Sequence, residues 1–312
     1  MKLFRILIVF LAPWCLASTS RAEAPPQARE LSVSQDGFAA RYYAPQPGSE
    51  AQAAVLMVGG SDGGYPSARA ARDLAEAGHP VLALAYFSGF FGKIDGLPDR
   101  LERVPLEYAY GALDWLRAEL GGNRPVAVMG ESRGAEFALL IGTRRPDIAG
   151  IIAFSPTSLT WPAVGDMSGR VPAWTEGGKP VPFVDLAVDD PAGQFLAGLS
   201  DPARAGRAAI PIERARAAIL LISSRSDAIW PAARMANQLE ERRRSARPER
   251  PALNLQFDDA SHLLMGPGPG VVRFTQGSFT VHFGGSEEGT LRARTVAWKA
   301  AKAFLTDLST PR

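Results

Sequence analysis

Cysteine and histidine are both scarce in this sequence. Its 312 residues include one cysteine, Cys15, and three histidines. Cys15 lies in an N-terminal segment that we expect to be removed. The mature chain would then have no thiol for a disulfide, a cysteine-ligated metal or a cysteine nucleophile. We expect neither a metal nor a cofactor, because the reaction inferred below requires none, and the search for a catalytic base covers only the three histidines.

The sequence also has no excess of charge of one sign. It has 34 basic and 32 acidic residues, a formal net charge of +2, which gives no general field for nucleic acid. One basic stretch could bind a phosphate-bearing substrate, but it coincides with the expected end of a helix, where arginines complement the helix dipole. We favour this second interpretation. The stretch consists of Arg242, Arg243, Arg244, Arg247 and Arg250.

Residues 1–22 have the pattern of a signal peptide. Lys2 and Arg5 precede a short apolar core at residues 6–17, and small residues flank Arg21. The core is too short to span a bilayer comfortably, so an uncleaved anchor is the less favoured alternative. We expect a secreted or periplasmic protein with no stable membrane insertion. Residues 23–312, in a chain that is 46% apolar, can form one domain with a single core.

Short apolar runs alternate with amphipathic segments along most of the chain. Residues 31–43 predict a hairpin that turns at Asp36-Gly37. Strands are then predicted at 53–58, 81–87, 126–129, 151–154, 218–222 and 253–257, and helices at 67–77, 106–120, 135–141, from about 231, and at 291–308. This alternation predicts an α/β fold with a mostly parallel central sheet and helices on both faces.

The alternation lapses between residues 156 and 202. This stretch contains seven prolines and the aromatic residues Trp161, Trp174, Phe183 and Phe195. An insertion here would lie over the C-terminal ends of the strands, where open α/β sheets bind their ligands. We predict a cap at about 156–206 that lines a substrate pocket. The alternative is a surface loop that covers nothing.

A serine flanked by glycines at two-residue spacing occurs twice. Gly130-Glu131-Ser132-Arg133-Gly134 follows a predicted strand and leads straight into a helix, as a nucleophile elbow requires. Gly59-Gly60-Ser61-Asp62-Gly63 is followed by more glycine and a proline, which delay the next helix. We therefore predict Ser132 as the nucleophile. The amides of Ser61 and Arg133 would form an oxyanion hole, with Asp62 as an alternative to Ser61 and a simple connecting turn as the other interpretation.

A serine nucleophile needs a base and an acid that orients the base. His262 follows the last predicted strand, whereas His79 precedes a strand and His282 lies within a strand-like run. We predict His262 as the base. Asp227 follows the preceding strand, which gives the chain order serine, acid, histidine that is typical of α/β-hydrolases. The rival acids are Asp258 and Asp259, which more easily cap a turn.

Residues 55–308 resemble the C-terminal hydrolase domain of the acyl-CoA thioesterase and bile-acid-CoA:amino-acid N-acyltransferase family, which is related to dienelactone-hydrolase-like proteins. Three motifs carry much of this resemblance: residues 59–64, residues 130–136 and Ser261-His262-Leu263. Residues 81–87, 106–108, 173–175, 227–231, 284–285 and 297–298 add to it. The resemblance implies an α/β-hydrolase fold and the triad of Ser132, Asp227 and His262.

Two departures qualify what the resemblance implies. Members of this family usually carry an N-terminal β-sandwich domain. Only about thirty mature residues precede the first core strand here, so we expect that domain to be absent. The members that transfer an acyl group to an amino acid have cysteine where this chain has Ser132, so water is the expected acceptor. Export would separate the enzyme from intracellular coenzyme A, which leaves an ester or amide substrate open.

Together these observations predict a serine hydrolase that cleaves an ester or thioester of a small acyl substrate through an acyl-enzyme on Ser132. A peptidase or amidase of the same fold is the alternative. A non-catalytic binding protein on a hydrolase scaffold is a further one, because a fold does not determine function.

Overall fold

A computed structural model describes residues 27–46, 52–90, 92–187 and 191–310. The predicted signal peptide, including Cys15, lies outside these residues. Within them, no helix is both long enough and apolar enough to cross a membrane. No group of three or more His, Cys, Asp or Glu side chains in the described ranges is arranged to hold a metal ion.

The strands in chain order are Ala28–Leu31 (β1), Ala39–Tyr43 (β2), Ala54–Val58 (β3), Val81–Ala85 (β4), Val104–Pro105 (β5), Val126–Glu131 (β6), Gly150–Phe154 (β7), Trp174–Glu176 (β8), Lys179–Pro180 (β9), Ala218–Ser224 (β10), Leu253–Phe257 (β11), Arg273–Gln276 (β12) and Phe279–His282 (β13). The helices are Val33–Asp36 (α1), Ala68–Glu76 (α2), Leu106–Glu119 (α3), Arg133–Gly142 (α4), Pro191–Ser200 (α5), Pro202–Ala208 (α6), Ala232–Ala246 (α7) and Glu287–Ser309 (α8).

Eight strands form the central sheet, in the order β1-β2-β4-β3-β6-β7-β10-β11. The six strands from β4 to β11 in this order are parallel, and β1 and β2 add an antiparallel edge. Every residue of β3, β4 and β7 is buried, as expected for continuous apolar strands covered on both faces. The predicted α/β-hydrolase fold with a mostly parallel sheet is confirmed.

Two apolar layers cover the sheet. Leu113 of α3 and Phe137 of α4 belong to the core on one face. Leu74 of α2 and Trp298 of α8 belong to the core on the other. The helices therefore lie on both faces, and the C-terminal ends of the parallel strands meet at one edge between the two layers.

Three local features differ from the sequence prediction. The turn predicted at Asp36-Gly37 is a helical turn, α1, because the backbone N–H of Ser32 binds the Asp36 carboxylate at 2.9 Å and Gly37 ends the turn at φ 81°. The last helix begins at Glu287, four residues before the predicted start, because Ser286 caps it by accepting from the Gly289 N–H. Strands β12 and β13 form a separate antiparallel hairpin before this helix.

The basic stretch near residue 243 lies at the end of α7, as predicted, and its side chains bind protein groups. The buried Arg243 guanidinium donates to the carbonyls of Ala215, Ala217 and Arg250. Arg242 pairs with Glu213 at 2.6 Å. These contacts tie the end of α7 to the segment before β10, which favours the structural interpretation of this stretch.

Candidate active site

The residues predicted for the site lie on loops at one edge of the sheet. Ser132 follows β6, Ser61 follows β3, Asp227 follows β10 and His262 follows β11. Because these four strands are parallel, their carboxyl ends lie on the same side of the molecule. This edge is where open α/β sheets bind ligands.

Ser132 occupies a strained turn between β6 and α4. Its backbone has φ 58° and ψ −123°, a conformation that residues other than glycine rarely adopt. Its N–H donates to the Phe154 carbonyl at 3.0 Å, and its carbonyl accepts from the Glu136 N–H at 3.1 Å. The helix begins at the next residue. This strand, turn and helix hold the Ser132 side chain at the edge of the sheet.

Two glycines allow this turn to form. A Cβ atom added to Gly130 would collide with the carbonyl of Gly134, and one added to Gly134 would collide with the carbonyl of Gly59. The turn at Ser61 is different, since Gly63 and Gly64 have φ of 73° and 70° and α2 does not begin until Ala68. The elbow geometry is therefore found at Ser132 and not at Ser61.

The loop that carries Ser61 lies against the elbow. A Cβ atom on Gly60 would lie 3.5 Å from the Cβ of Ser132. The Tyr86 hydroxyl fixes this loop by donating to the carbonyls of Gly59 at 2.7 Å and Gly60 at 3.2 Å. Arg133 is the first residue of α4, so its N–H has no acceptor within the helix. Both amides predicted for an oxyanion hole thus belong to segments that adjoin Ser132.

His262 and Asp227 form a buried pair. Nδ1 of His262 lies 2.7 Å from Oδ2 of Asp227. The other carboxylate oxygen of Asp227 accepts the N–H groups of Ile229 at 2.9 Å and Trp230 at 3.2 Å. An ionised carboxylate only accepts hydrogen bonds, so the Nδ1 proton of His262 is the donor. Asp227 is thereby fixed on one side and holds the imidazole on the other.

The environment raises the pKa of His262 above its ordinary value. Burial by itself lowers this pKa, but the charge and hydrogen bond of Asp227, together with the charge of Glu131, outweigh it. Nε2 of His262 is buried and has no hydrogen-bond partner among the described residues. The Ser132 hydroxyl is therefore not bonded to it in this arrangement; such hydrogen bonds often tighten only in the complex with substrate.

A second strained serine links the elbow to His262. Ser155 follows β7 with φ 45°, and its hydroxyl donates to the His262 carbonyl at 2.6 Å. The preceding residue, Phe154, accepts the N–H of Ser132. Adjacent residues at the end of β7 therefore hold both the predicted nucleophile and the predicted base. Ser155 was not predicted from the sequence, because no motif marks it.

The other candidate acids and histidines lie elsewhere. Asp258 pairs with Arg225 at 2.5 Å on the surface. Asp259 accepts the N–H and hydroxyl of Ser286 at 2.7 and 2.5 Å, and these bonds lower its pKa. His79 binds the Ala53 carbonyl at 3.0 Å ahead of β4. His282 ends the exposed strand β13. Among the described histidines, only His262 lies beside a carboxylate at the edge that carries Ser132.

A chain of aromatic contacts connects the insertion to the His262 ring through Trp230, which follows β10. Trp230 lies edge-on to His262 at 5.4 Å between ring centroids, Phe195 of α5 contacts Trp230 at 5.3 Å, and Trp161 contacts Phe195 at 4.8 Å. Only 7% of Ser132 and 3% of His262 are exposed. The insertion between β7 and β10 therefore packs over this part of the sheet edge.

Two charged residues of α4 anchor the insertion. The fully buried Glu136 carboxylate accepts the Trp161 N–H at 3.0 Å and the Trp174 indole N–H at 2.7 Å. Arg133 lies 2.9 Å from the same carboxylate and donates to the carbonyls of Trp161 and Pro162. Burial raises the pKa of Glu136. The sequence signal for this anchor was a basic and an acidic residue three apart in an otherwise apolar helix.

Comparisons with known proteins agree with this architecture. Residues 104–309 match the family model described as BAAT / acyl-CoA thioester hydrolase C terminal. A puromycin-hydrolyzing peptidase of Mycobacterium tuberculosis is 17% identical, with a TM-score of 0.60 over 92% of this chain and 40% of its own. An acylaminoacyl peptidase of Pyrococcus horikoshii is 16% identical, with a TM-score of 0.57 over 90% of this chain and 41% of its own.

Another solved structure matches over nearly its whole length. The putative dienelactone hydrolase of Klebsiella pneumoniae is 17% identical, with a TM-score of 0.54 over 89% of this chain and 97% of its own. The chain spans only about two fifths of the length of the two peptidases. Among curated proteins, none matches the sequence. At these low sequence identities, the structural similarity shows the fold alone.

Proposed function

Because the chain belongs to the BAAT / acyl-CoA thioester hydrolase C-terminal family, we propose that it is a serine hydrolase that cleaves an ester or thioester through an acyl-enzyme on Ser132. One observation carries this proposal. Ser132 lies at a strained elbow, and the buried pair of His262 and Asp227 lies at the same edge of the sheet. A nucleophile, a base and an orienting acid are what acyl transfer through a serine requires.

In the proposed cycle, Nε2 of His262 removes the proton from Ser132 as the serine oxygen attacks the acyl carbon. Asp227 keeps the imidazole in the required tautomer and stabilises its charged form. The amides of Ser61 and Arg133 bind the negative oxygen of the tetrahedral intermediate, and one such donor is typically worth about 3 kcal/mol. His262 then protonates the leaving group. Water, activated by the same imidazole, releases the acid and frees Ser132.

We propose that the insertion at about 156–206 lines the substrate pocket. The contacts from Trp161 through Phe195 and Trp230 to the His262 ring support this assignment. A substrate in this position would meet aromatic surface beside the base, which suits the apolar part of a small acyl compound. The export predicted from residues 1–22 is part of the same proposal, and sequencing of the mature N-terminus from a secreting host tests it.

Fluorophosphonate labelling tests the nucleophile. We expect the wild-type protein and Ser61→Ala to be labelled, since only the amide of residue 61 has a role. Ser132→Ala should not be labelled and should lose about a millionfold in kcat, the scale seen when a triad member is removed. His262→Ala should label far more slowly. Labelling that is unchanged by Ser132→Ala would refute the proposal.

A substrate panel tests the reaction class. p-Nitrophenyl esters, acyl-CoA thioesters and aminoacyl amides of graded length separate an esterase or thioesterase from an amidase or peptidase. We expect kcat/KM to be highest for an ester or thioester. Preference for amides would support the peptidase alternative. No turnover of any member, with no labelling, would support a binding protein on a hydrolase scaffold.

A further inference from the structure

The backbone turn at residues 262–265 is held by side chains from two other elements. Oε1 of Glu131 accepts the N–H groups of Leu264 at 2.5 Å and Met265 at 2.7 Å. The guanidinium of Arg294, on α8, donates to the carbonyls of Leu263 at 3.2 Å and Met265 at 3.0 Å. A carboxylate therefore binds the donors of this turn and a cation binds its acceptors.

Glu131 connects the turn directly to the elbow. It is the last residue of β6 and immediately precedes Ser132, and its backbone pairs with Phe154 of β7. Its position is therefore fixed by the same sheet that fixes the elbow. Its carboxylate spans 133 residues of sequence to reach Leu264. Glu131 therefore links the turn beside the predicted base to the elbow, in addition to the link that the Ser155 hydroxyl makes to the His262 carbonyl.

We propose that Glu131 is a positioning residue that sets the placement of His262 relative to Ser132 through the amides of Leu264 and Met265, with Arg294 holding the carbonyls of the same turn. This inference rests on the proposed function. Misplacing a reacting group by about 1 Å can cost about a hundredfold in rate. A pair of amides bound to a single buried oxygen allows little such movement.

The charged groups around His262 make the pKa of its imidazole a measurable readout of Glu131. Asp227 faces the imidazole from the loop after β10, Glu131 from the end of β6, and Arg294 faces Glu131 from α8. Arg69 of α2 in turn acts on Arg294. Glu131 is among the groups that raise the pKa of His262. Removing its negative charge should lower that pKa.

Glu131→Gln separates placement from charge, because the amide oxygen can still accept both N–H groups. We expect its maximal kcat to stay within about threefold of wild type. The acid limb of its kcat/KM profile should move down by about 1 pH unit, the lower end of the effect of a nearby opposite charge. Glu131→Ala leaves the two amides without their acceptor. It should lose about a hundredfold in kcat with little change in KM.

Glu136→Gln is the matched control. It also removes a buried carboxylate close to Ser132, but that carboxylate faces Trp161 and Trp174. We expect its acid limb to stay within about 0.2 pH unit of wild type, since Glu136 is not among the groups that shift the pKa of His262. A residue with a merely structural role would lower the melting temperature and leave the pH profile unchanged.

A titration of the His262 imidazole by NMR in the full chain gives a readout that does not need catalysis. Its signal is assigned by comparison with His262→Ala. We expect Glu131→Gln to lower the measured pKa of His262 and Glu136→Gln to leave it unchanged, even if no substrate is turned over and the proposed function fails. A folded Glu131→Ala with wild-type kcat overturns the inferred positioning role, and an unchanged His262 pKa in Glu131→Gln overturns its electrostatic part.

Discussion

Nδ1 of His262 lies 2.7 Å from Oδ2 of Asp227, although 35 positions separate the two residues. The contact forms because β10 and β11 are parallel neighbours, so the loops that follow them emerge at the same edge. Helix α7 fills the sequence between the two strands and packs outside them. An acid and a base placed after adjacent strands are thus brought together by topology.

Replacing Asp227 by Asn should lower kcat by about ten thousandfold, because the amide would favour the wrong imidazole tautomer and would not stabilise its charged form. Steady-state hydrolysis of a p-nitrophenyl ester measures this. Asp259→Asn is the control. Asp259 binds Ser286 and not His262, so its loss should affect stability more than rate. A fall in kcat with Asp259→Asn that matches that of Asp227→Asn would contradict the assignment.

The kcat/KM profile should show an acid limb with an apparent pKa above 6.5. His262 acts as a base only when neutral, and its environment raises its pKa, so activity should be lost on acidification at a higher pH than for a free imidazole. The measurement is kcat/KM for one ester between about pH 5 and 9. An acid limb well below 6.5 would indicate that burial outweighs the charge of Asp227.

Gly130→Ala should destabilise the protein by at least about 3 kcal/mol, because the added methyl group collides with backbone at Gly134. Gly111→Ala is the matched substitution. Gly111 lies within α3 with no heavy atom near the position of an added Cβ, so alanine there should stabilise by about 0.5 to 1 kcal/mol. Urea unfolding compares the two. Equal stability of both variants would show that the elbow does not need Gly130.

Phe195→Ala should change the preference among acyl chain lengths, because Phe195 contacts both Trp161 and Trp230 beside His262. We expect the ratio of kcat/KM for long and short p-nitrophenyl esters to change by about tenfold, the lower end of the effect of one methylene group in an apolar pocket. The neighbouring Leu196 is 55% exposed, and Leu196→Ala should leave the ratio unchanged. If both variants keep the wild-type ratio, the insertion does not line the pocket.

Sequence patterns predicted the parts of the site that follow strands. Ser132 stood out because a strand stops just before it and a helix starts just after it. Both elements can be recognised from the local periodicity of apolar residues, without tertiary information. Asp227 and His262 followed from the order of strands, and the structure pairs them. Their catalytic roles, like those of Ser61 and Arg133, stay predictions.

The supporting residues could not be predicted in this way. Ser155 contacts a residue 107 positions away, and Glu131 contacts one 133 positions away, so neither has a local signature. Arg133 and Glu136 stand out in the sequence only as a basic and an acidic residue three apart in an apolar helix, and no local pattern shows that the insertion packs against them. The helical turn α1 replaced a predicted tight turn because of one side-chain contact, between Asp36 and Ser32.

The low exposure of Ser132 bears on which molecules could react under the proposed function. With only 7% of Ser132 exposed, a substrate would need a narrow cross-section at its reactive carbon before the chemistry of that carbon mattered. We would then expect acyl groups on slender chains to reach the serine and the backbone of a folded protein not to reach it. Selectivity would then arise while a compound enters the site at this edge of the sheet, before any bond is broken.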